Sequence, residues 1–347
     1  MNATTDCAPA AEIYSHLGTL IVHLLVIICN CSGAIITVGV TYVFLRYKVF
    51  HINLRILFTS VAIQLLSRAS CTTYRSATFV YYFFTFTNAC DLLESKNGCS
   101  NKVALFASFQ DTLVFSFTAL GLERVWATRR YETYESQTGW ILQVVLILIS
   151  WFRVIMVVIK IVFAGTPEKD VLILYCSSLS VDTYDTNFLS YVVLPLSLFC
   201  GALFVYVYKQ STKKNQDLLD QSHTLSSRFQ LMENIQTSRL VAPCGLFYVF
   251  FVLCNLGFFL VLISHRDKVP VNWPAMTFWK EVESLGAFPI YINIYPLLFL
   301  ILSPSIRKQF KPRQVAQDQQ VFTIDRHENA TQHMHTLEQF WAKRTRR

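Results

Sequence analysis

The sequence carries little charge for its length. Only 15% of its 347 residues are Asp, Glu, Lys or Arg, against about 25% in soluble domains, whereas 53% belong to the hydrophobic set. An apolar share of this size does not fit inside one soluble core, but lipid-facing helices require it. The shortage of charge therefore argues against a soluble enzyme or binding domain and indicates a membrane protein.

The chain also lacks the motifs of common enzymes and metal sites. It has no HExxH, no GxSxG and no Walker phosphate loop, and its ten cysteines form no CxxC pair with metal-ligand spacing. Its eight histidines lie mostly in predicted loops or near the termini, so we expect neither a metal nor a cofactor. Two matching halves with broken helices, which are typical of transporters, are also missing. We therefore predict neither an enzyme nor a transporter.

Long apolar runs occupy most of the chain. A run of about 20 residues is enough to cross a bilayer as a helix, and seven such runs can be placed along the sequence. The fold class that they predict is an all-α bundle of seven membrane-spanning helices, with the stretch 225–235 extending the sixth helix beyond the bilayer. The predicted spans cover residues 17–45, 52–77, 103–122, 139–163, 188–208, 240–264 and 282–302.

Lys and Arg are divided unequally between the two sides of this bundle. Most of the 30 basic residues follow the first, third and fifth spans or lie in the C-terminal tail, whereas the N-terminal segment before the first span has none. The positive-inside rule then places the N-terminus outside the cell and the C-terminus in the cytosol. The net charge of +8 orients the helices and does not indicate nucleic-acid binding.

This topology divides the chain into three parts. Residues 1–16 form an extracellular N-terminus with a glycosylation sequon at Asn2, and we expect no cleaved signal peptide. Residues 17–310 form the bundle, which closes with a short amphipathic helix along the inner leaflet. Residues 311–347 form a cytosolic tail.

Three cysteines fall in the predicted outer loops. Cys99 precedes Arg124, at the inner end of the third span, by about 25 helical residues or roughly 37 Å, so Cys99 lies at the outer end. Cys176 lies in the outer loop after the fourth span. A disulfide between Cys99 and Cys176 would hold that loop over the mouth of the bundle, and we favour this pairing. Cys90 is the competing partner for Cys99, because sequence alone does not fix connectivity.

Charged side chains lie deep within three of the spans. Arg68, Asp111 and Arg153 are near the middle of the second, third and fourth spans, where a charge is costly and usually faces the bundle interior. We picture Asp111 paired with Arg68 or Arg153, which leaves net positive charge that can receive an acidic ligand. A structural ion pair without ligand contact is the alternative. Arg75 and Lys160 lie close enough to the outer surface to snorkel.

Two further motifs lie in the third and seventh spans. The third span ends in Glu123-Arg124, an acid–arginine pair that can hold neighbouring helix ends together until it breaks; snorkelling of Arg124 is the alternative. In the seventh span, Pro296 frees a backbone carbonyl and allows a kink. Asn293 and Tyr295 precede that proline and are placed to hydrogen-bond across the kink.

Five short motifs together match one family of receptors. They are Glu123-Arg124-x-x-Ala127-Thr128 followed by Tyr134-Glu135, Leu225-Ser226-x-Arg228-Phe229-Gln230-x-x-Glu233-Asn234-Ile235, His51-x-Asn53-x-Arg55, Tyr295-Pro296-Leu297-Leu298-Phe299 and Ser303-x-x-Ile306-Arg307. Over roughly residues 15–312 the chain resembles the nematode serpentine chemoreceptors of the Sra superfamily, most closely those of class alpha/beta (Srab), which are G-protein-coupled receptors.

The resemblance implies a chemosensory receptor in the plasma membrane of sensory neurons, including their cilia, that binds an external small molecule and activates a heterotrimeric G protein. It implies that Glu123 and Arg124 lie at the G-protein end. Asn293 and Pro296 lie near the position of the Asn-Pro-x-x-Tyr motif of the larger receptor family, although the order here is Asn-x-Tyr-Pro, with Tyr295 before the proline. The residues that we expect to line the ligand pocket are Arg68, Asp111, Phe115, Arg153, Tyr191 and Tyr291.

A seven-span odorant-gated cation channel is the alternative function. Such channels have the N-terminus inside the cell, which the distribution of Lys and Arg opposes. The sixth span also lacks the Cys-Trp-x-Pro pattern of the larger receptor family, since the stretch 251–255 has neither tryptophan nor proline. The switch mechanism of that family therefore does not transfer directly to this chain.

Overall fold

A computed structural model describes residues 7–46, 52–129, 140–163, 171–181, 189–220, 225–266 and 272–303. The sequon at Asn2, the expected helix along the inner leaflet and the tail over 311–347 lie outside these ranges. The chain divides into two units, Met1–Arg307 and Lys308–Arg347, and the helices below belong to the first unit.

Helices account for nearly all of the described residues. Two short strands from different loops, β1 (Glu94–Ser95) and β2 (Leu172–Ile173), pair antiparallel. A 3-10 turn covers Ala89–Leu92 and a π turn covers Leu189–Val193. The α-helices are α1 (Ala8–Ser15), α2 (Leu17–Arg46), α3 (Ile52–Thr85), α4 (Lys96–Arg129), α5 (Trp140–Phe163), α6 (Leu194–Asp220), α7 (Leu225–Arg266), α8 (Trp273–Ala287) and α9 (Pro289–Leu302).

Within the described ranges, seven helical segments have the length and apolar composition to cross a membrane, with α8 and α9 counting as one segment over Trp273–Leu302. The predicted seven-helix fold class is therefore confirmed, and the chain is a multi-pass membrane protein. Large apolar side chains such as Ile141, Leu148 and Phe152 on α5 are exposed, which in a bilayer places them against lipid.

Helix α4 forms the centre of the bundle. It packs against α3, α5, α6 and α7, and Leu113, Phe117 and Leu120 on it are almost fully buried. These positions recur every three or four residues, so they share one face of the helix. We call the end of the bundle at the start of α4 the disulfide end and the end near its last turn the Arg124 end.

Several helices are longer than the hydropathy of the sequence predicts. The extension of the sixth span is present, since α7 begins at Leu225. The seventh span begins at Trp273 rather than 282, where Asn272 caps the helix by accepting a hydrogen bond from the backbone N–H of Ala275 at 3.2 Å. The charged residues Lys280, Glu281 and Glu283 lower the local hydropathy of this first part, which is why the predicted span begins too late.

The break in the seventh span lies at Phe288–Pro289 and not at Pro296. Helix α8 ends at Ala287 and α9 begins at Pro289. Pro289 donates no backbone hydrogen bond and its ring excludes the carbonyl four residues earlier, which separates the two helices. Helix α9 continues through Pro296, so the chain stays helical across that proline, and a kink there with Asn293 and Tyr295 bonded across it stays a prediction.

Two disulfides close the disulfide end. Cys99 bonds to Cys176, the pairing that we favoured, and Cys7 bonds to Cys90. From the sequence, Cys90 is predicted only as a rival partner for Cys99, and Cys7 has no predicted partner. The second bridge places α1 against the bundle, where Ala10 and Ile13 are completely buried.

Candidate functional site

A cavity of about 150 Å³ lies inside the disulfide end of the bundle. Its walls come from α3, α4, α7 and α8, and the loop after α5 contributes Ser178 and Val181. The lining is unusually polar for a membrane helix bundle. The charged and amide side chains on it are Arg68, Arg75, Gln110, Asp111, Asn255, Lys280 and Glu283.

The spacing of these residues places them on single helix faces. Arg68, Thr72 and Arg75 follow one another at four and three residues along α3, and Glu283 and Ser284 lie three and four residues after Lys280 on α8. This periodicity was a signal in the sequence that could have joined Arg75 to Arg68 and added the start of α8 to the site. From hydropathy, Arg75 is predicted near the outer surface, and Lys280 falls outside the predicted seventh span over 282–302.

Glu281 is the centre of the first polar network. Its carboxylate is fully buried, forms an ion pair with Arg75, and accepts a hydrogen bond from the Tyr175 hydroxyl at 2.9 Å. The expectation that Arg75 snorkels to the surface is therefore wrong. An uncompensated carboxylate at this depth is expensive, so the arginine and the phenol together allow Glu281 to be buried.

Tyr175 and His23 extend this network to α2 and to the loop after α5. The Nε2 atom of His23 lies 3.4 Å from the Tyr175 hydroxyl and 3.9 Å from Glu281, while its Nδ1 atom lies 3.1 Å from the Ser76 hydroxyl. Burial, and then the nearby Glu281 carboxylate, raise the pKa of Tyr175 well above its usual value. The phenol therefore stays protonated and remains a hydrogen-bond donor.

Glu283 is the centre of a second network that crosses the cavity. It accepts from both Lys280 and the Asn255 amide. Asn255 in turn accepts from the Gln110 amide at 3.3 Å, and Gln110 accepts from Arg68 Nη2, also at 3.3 Å. This chain of side chains connects α3, α4, α7 and α8 in one line.

Asp111 pairs with Arg153 on α5, with 3.6 Å between Oδ2 and Nε. Of the two arginines that the sequence offered for Asp111, Arg153 is thus the ion-pair partner. Arg153 does not line the cavity itself. The pair therefore neutralises one wall of the cavity from behind.

Arg68 has a different environment from the other cations. Among the residues that the structure describes, no carboxylate lies within 4 Å of it; its guanidinium bonds to Gln110 and lies 5.9 Å from the centroid of the Phe288 ring. Its buried Nε atom has no hydrogen-bond acceptor. Arg68 is therefore a cavity-lining charge whose hydrogen-bonding capacity is largely unused.

The other residues expected in the pocket lie elsewhere. Phe115 is half-buried and Tyr291 is buried, and neither lines the cavity. Tyr191 is 78% exposed, so the expectation that it lines the pocket is wrong. Among the described residues no group of three His, Cys, Asp or Glu side chains is placed to hold a metal ion.

A column of aromatic rings in contact with one another begins beneath the cavity. Tyr248 stacks on Phe117 with 4.3 Å between centroids, and its hydroxyl donates to the backbone carbonyl of Gln110 at 3.4 Å. Tyr291 lies 5.3 Å from Tyr248 and 5.6 Å from Tyr295, whose ring is 5.1 Å from Phe299. These contacts join the cavity floor to the half of the bundle nearer the Arg124 end.

Arg124 is buried at the opposite end of α4. Only 2% of it is exposed, and its Nε and Nη2 atoms donate to the two carboxylate oxygens of Glu123 at 2.5 and 2.6 Å. The acid–arginine motif of the sequence is thus an intact two-bond pair. Simple snorkelling of Arg124 does not describe this burial.

Asn293 fastens the seventh span to the first. Its amide nitrogen donates to the carbonyls of Cys29 at 2.7 Å and Pro289 at 2.8 Å, and its oxygen accepts from Ser32 at 2.8 Å. The helices approach closely here, since a Cβ atom on Gly33 would lie 2.5 Å from the Ile292 side chain. Asn293 therefore acts between helices, while Tyr295 and Pro296 are buried within the bundle.

Comparisons with known proteins agree with this architecture. Residues 4–330 match the model of the serpentine type 7TM GPCR receptor class ab chemoreceptor family. Serpentine receptor class alpha/beta-14 of Caenorhabditis elegans is 25% identical over 313 residues, which cover 87% of this chain and 78% of that protein. Serpentine receptor class alpha-39 of the same organism is 24% identical over 281 residues, covering 77% and 70%.

Proposed function

We propose that this chain, which belongs to the serpentine class ab family of seven-helix chemoreceptors, binds a small external ligand in its cavity and activates a heterotrimeric G protein. The members of this family are receptors and not enzymes, and nothing in the match favours the channel alternative. In the proposed orientation the disulfide end faces the outside of the cell and the Arg124 end faces the cytosol.

The observation that carries the proposal is the polar cavity beneath a cap, which consists of helix α1 and the loop after α5 and is held by the two disulfides. Membrane helices avoid charge unless it has a function or a partner, and here charged and amide groups from four helices converge on one space. Two disulfides hold the loop after α5 and helix α1 above it. A cavity formed in this way is suited to a small molecule that arrives from the water phase.

The side-chain contacts supply a route from ligand to G protein. A ligand that engages the cavity competes for Gln110, which bonds through its side chain to Asn255 on α7 and through its backbone to Tyr248. A change at these contacts alters the packing of α7 against α4, and the aromatic column carries it to the Arg124 end. The ligand thereby selects a state in which the cytosolic ends of α6 and α7 separate.

Arg124 has the decisive role in this proposal. In the present state it is buried and bound to Glu123, so it is not accessible to a partner. Separation of the helix ends would expose it to the G protein. Glu123 keeps the pair closed in the resting state, and Asn293 keeps the seventh span fixed to the first while the other helices move.

The test is a G-protein dissociation sensor in cells that express the receptor, challenged with a panel of small water-soluble acids, alcohols and amines. Arg124→Glu should abolish a concentration-dependent response while surface expression stays the same. Arg129→Glu is the matched control, because Arg129 lies on the same last turns of α4 but is exposed, and it should retain the response. A full response from Arg124→Glu would overturn this role, and ligand-gated current without sensor dissociation would favour a channel.

A further inference from the structure

We propose that the cavity binds a small organic anion, a carboxylate or a similar oxyanion, whose charge pairs with Arg68. This inference rests on the proposed function only in taking the cavity as the receptor's ligand site. It names the chemical class of the ligand, which the family resemblance does not.

The guanidinium of Arg68 has unused hydrogen-bonding capacity. A guanidinium offers five N–H donors in a planar fork, and Arg68 uses one in a bond of 3.3 Å to Gln110 while its buried Nε has no acceptor. A buried donor without an acceptor loses its hydration and gains no bond in return, and the penalty is larger for a charged group. A carboxylate from the ligand supplies two acceptor oxygens in the geometry that this fork prefers.

The carboxylates that line the cavity, Asp111 and Glu283, and the adjoining Glu281, which does not line it, each have a cationic partner. Glu281 pairs with Arg75 and Glu283 pairs with Lys280. Asp111 pairs with Arg153. A cationic ligand such as an amine would have to break one of these pairs, whereas an anion finds Arg68 with no such pair to break.

The size and lining of the cavity restrict the ligand that it can hold. A cavity of about 150 Å³ is comparable to one that accommodates benzene, so the ligand has on the order of six to ten non-hydrogen atoms. The lining also includes Val103, Phe106 and Phe259, which are suited to a short apolar body. The geometry thus favours an anionic head on a compact hydrocarbon group.

Arg68 also connects ligand charge to the proposed switch. Its acceptor Gln110 donates to Asn255 on α7 and offers its backbone carbonyl to Tyr248. When an anion draws the guanidinium away, the Gln110 amide is free to reorient, and its bond to Asn255 changes with it. Recognition of the anion and movement of α7 are in this way parts of one hydrogen-bond chain.

The experiment measures thermal unfolding of the purified full-length receptor in detergent, without a G protein. The probes are benzoate and butanoate, with benzyl alcohol, 1-butanol, benzylamine and butylamine as neutral and cationic counterparts of the same bodies. The acids should raise the melting temperature with increasing concentration, because a ligand that binds the folded state stabilises it. The alcohols and amines should not.

Two variants locate the effect. Arg68→Gln should weaken acid binding at least about tenfold, whereas Arg68→Lys, which keeps the charge but loses the planar fork, should retain a weaker shift. Lys102→Gln is the control, because Lys102 is an exposed cation at the same end of the bundle, paired with Glu94 and outside the cavity. It should bind the acids as the unmodified receptor does.

Three results would overturn the inference: equal shifts from the amines or alcohols, an unchanged acid shift in Arg68→Gln, or no shift with either acid. The assay separates this inference from the proposed function because it contains no G protein. Acid binding without sensor dissociation in cells would leave the anion site standing and remove the receptor mechanism. Sensor dissociation by amines, with no acid binding, would leave the receptor mechanism standing and remove the anion site.

Discussion

Arg68 and Arg75 lie on one face of α3, about two helical turns apart, and both line the same cavity, yet their surroundings are opposite. Arg75 is paired with the fully buried Glu281, which Tyr175 also contacts, beneath the disulfide-held cap. Arg68 has one amide bond and an aromatic ring beside it, and no described carboxylate pairs with it, although the Nε atoms of both arginines lack an acceptor. We call these the Arg75 region and the Arg68 region.

The Arg75 region and the Arg68 region show two different reasons why a membrane protein retains a charge in its interior. In the Arg75 region each charge has an opposite charge and a hydrogen bond, so the group contributes to holding α3, α8 and the cap together. In the Arg68 region the desolvation of the guanidinium is not compensated by the protein. A charge kept at such a cost is better explained by a ligand than by the fold.

The largest expected effect comes from removing the acid of the Arg75 region. Glu281→Gln should lower the free energy of unfolding by about 3–5 kcal/mol, because it leaves Arg75 as a buried charge without its counter-ion. Urea or thermal unfolding of the purified receptor measures this loss. The double variant Arg75→Met with Glu281→Leu should recover most of it, since no isolated charge remains. A loss below about 1 kcal/mol in the single variant would contradict a structural role for the pair.

Opening the cap should weaken the Arg75 region selectively. Replacing Cys7 and Cys90 by serine removes a bridge between positions 83 residues apart, and we expect a loss of about 2–4 kcal/mol. Amide exchange should rise at β2, Tyr175 and the start of α8, and much less around Arg68. The exposed free cysteine Cys254 provides the control, Cys254→Ser, which should change neither quantity. Uniform loosening of both regions would show that the cap does not act through Tyr175.

A smaller loss is expected from Tyr175→Phe. The change removes one hydrogen bond to a charged carboxylate, which is worth about 1.5–3 kcal/mol. Burial and the neighbouring Glu281 hold the pKa of Tyr175 far above its usual value, so the phenol is protonated throughout and the loss should be the same at about pH 6 and about pH 9. Tyr191→Phe, at an exposed position, is the control for removing a phenol. A loss that disappears at the higher pH would mean that Tyr175 ionises and is not the donor assigned here.

The seven-span fold could be predicted from the sequence because lipid requires about 20 apolar residues for each span, whatever the helices contact. The start of α8 was missed because Lys280, Glu281 and Glu283 lower its hydropathy, although their burial follows from pairing across helices. Arg75 and Glu281 lie 206 residues apart in the chain, and no local pattern reveals such a pair.

The cysteines show the same limit at the cap. Cys99–Cys176 could be favoured because the third span fixes the depth of Cys99. Cys7 was overlooked because its depth depends on the packing of α1, whose Ile13 and Tyr14 are buried against residues far away in the sequence. Of the expected pocket residues, Arg68 and Asp111 line the cavity because mid-span charges must face the interior, whereas Tyr191 carried no comparable constraint.

The most direct test of the contrast between the two regions is one unfolding experiment on Arg68→Gln and Arg75→Gln, side by side and without added ligand. We expect Arg75→Gln to lose about 3–5 kcal/mol of unfolding free energy, since Glu281 is left buried and unpaired. We expect Arg68→Gln to lose far less than this or to exceed the unmodified receptor in stability, because only the bond to Gln110 is removed and no counter-charge is left unpaired. An equal loss in both variants would make Arg68 a structural residue and contradict the central claim that its charge is kept for a ligand.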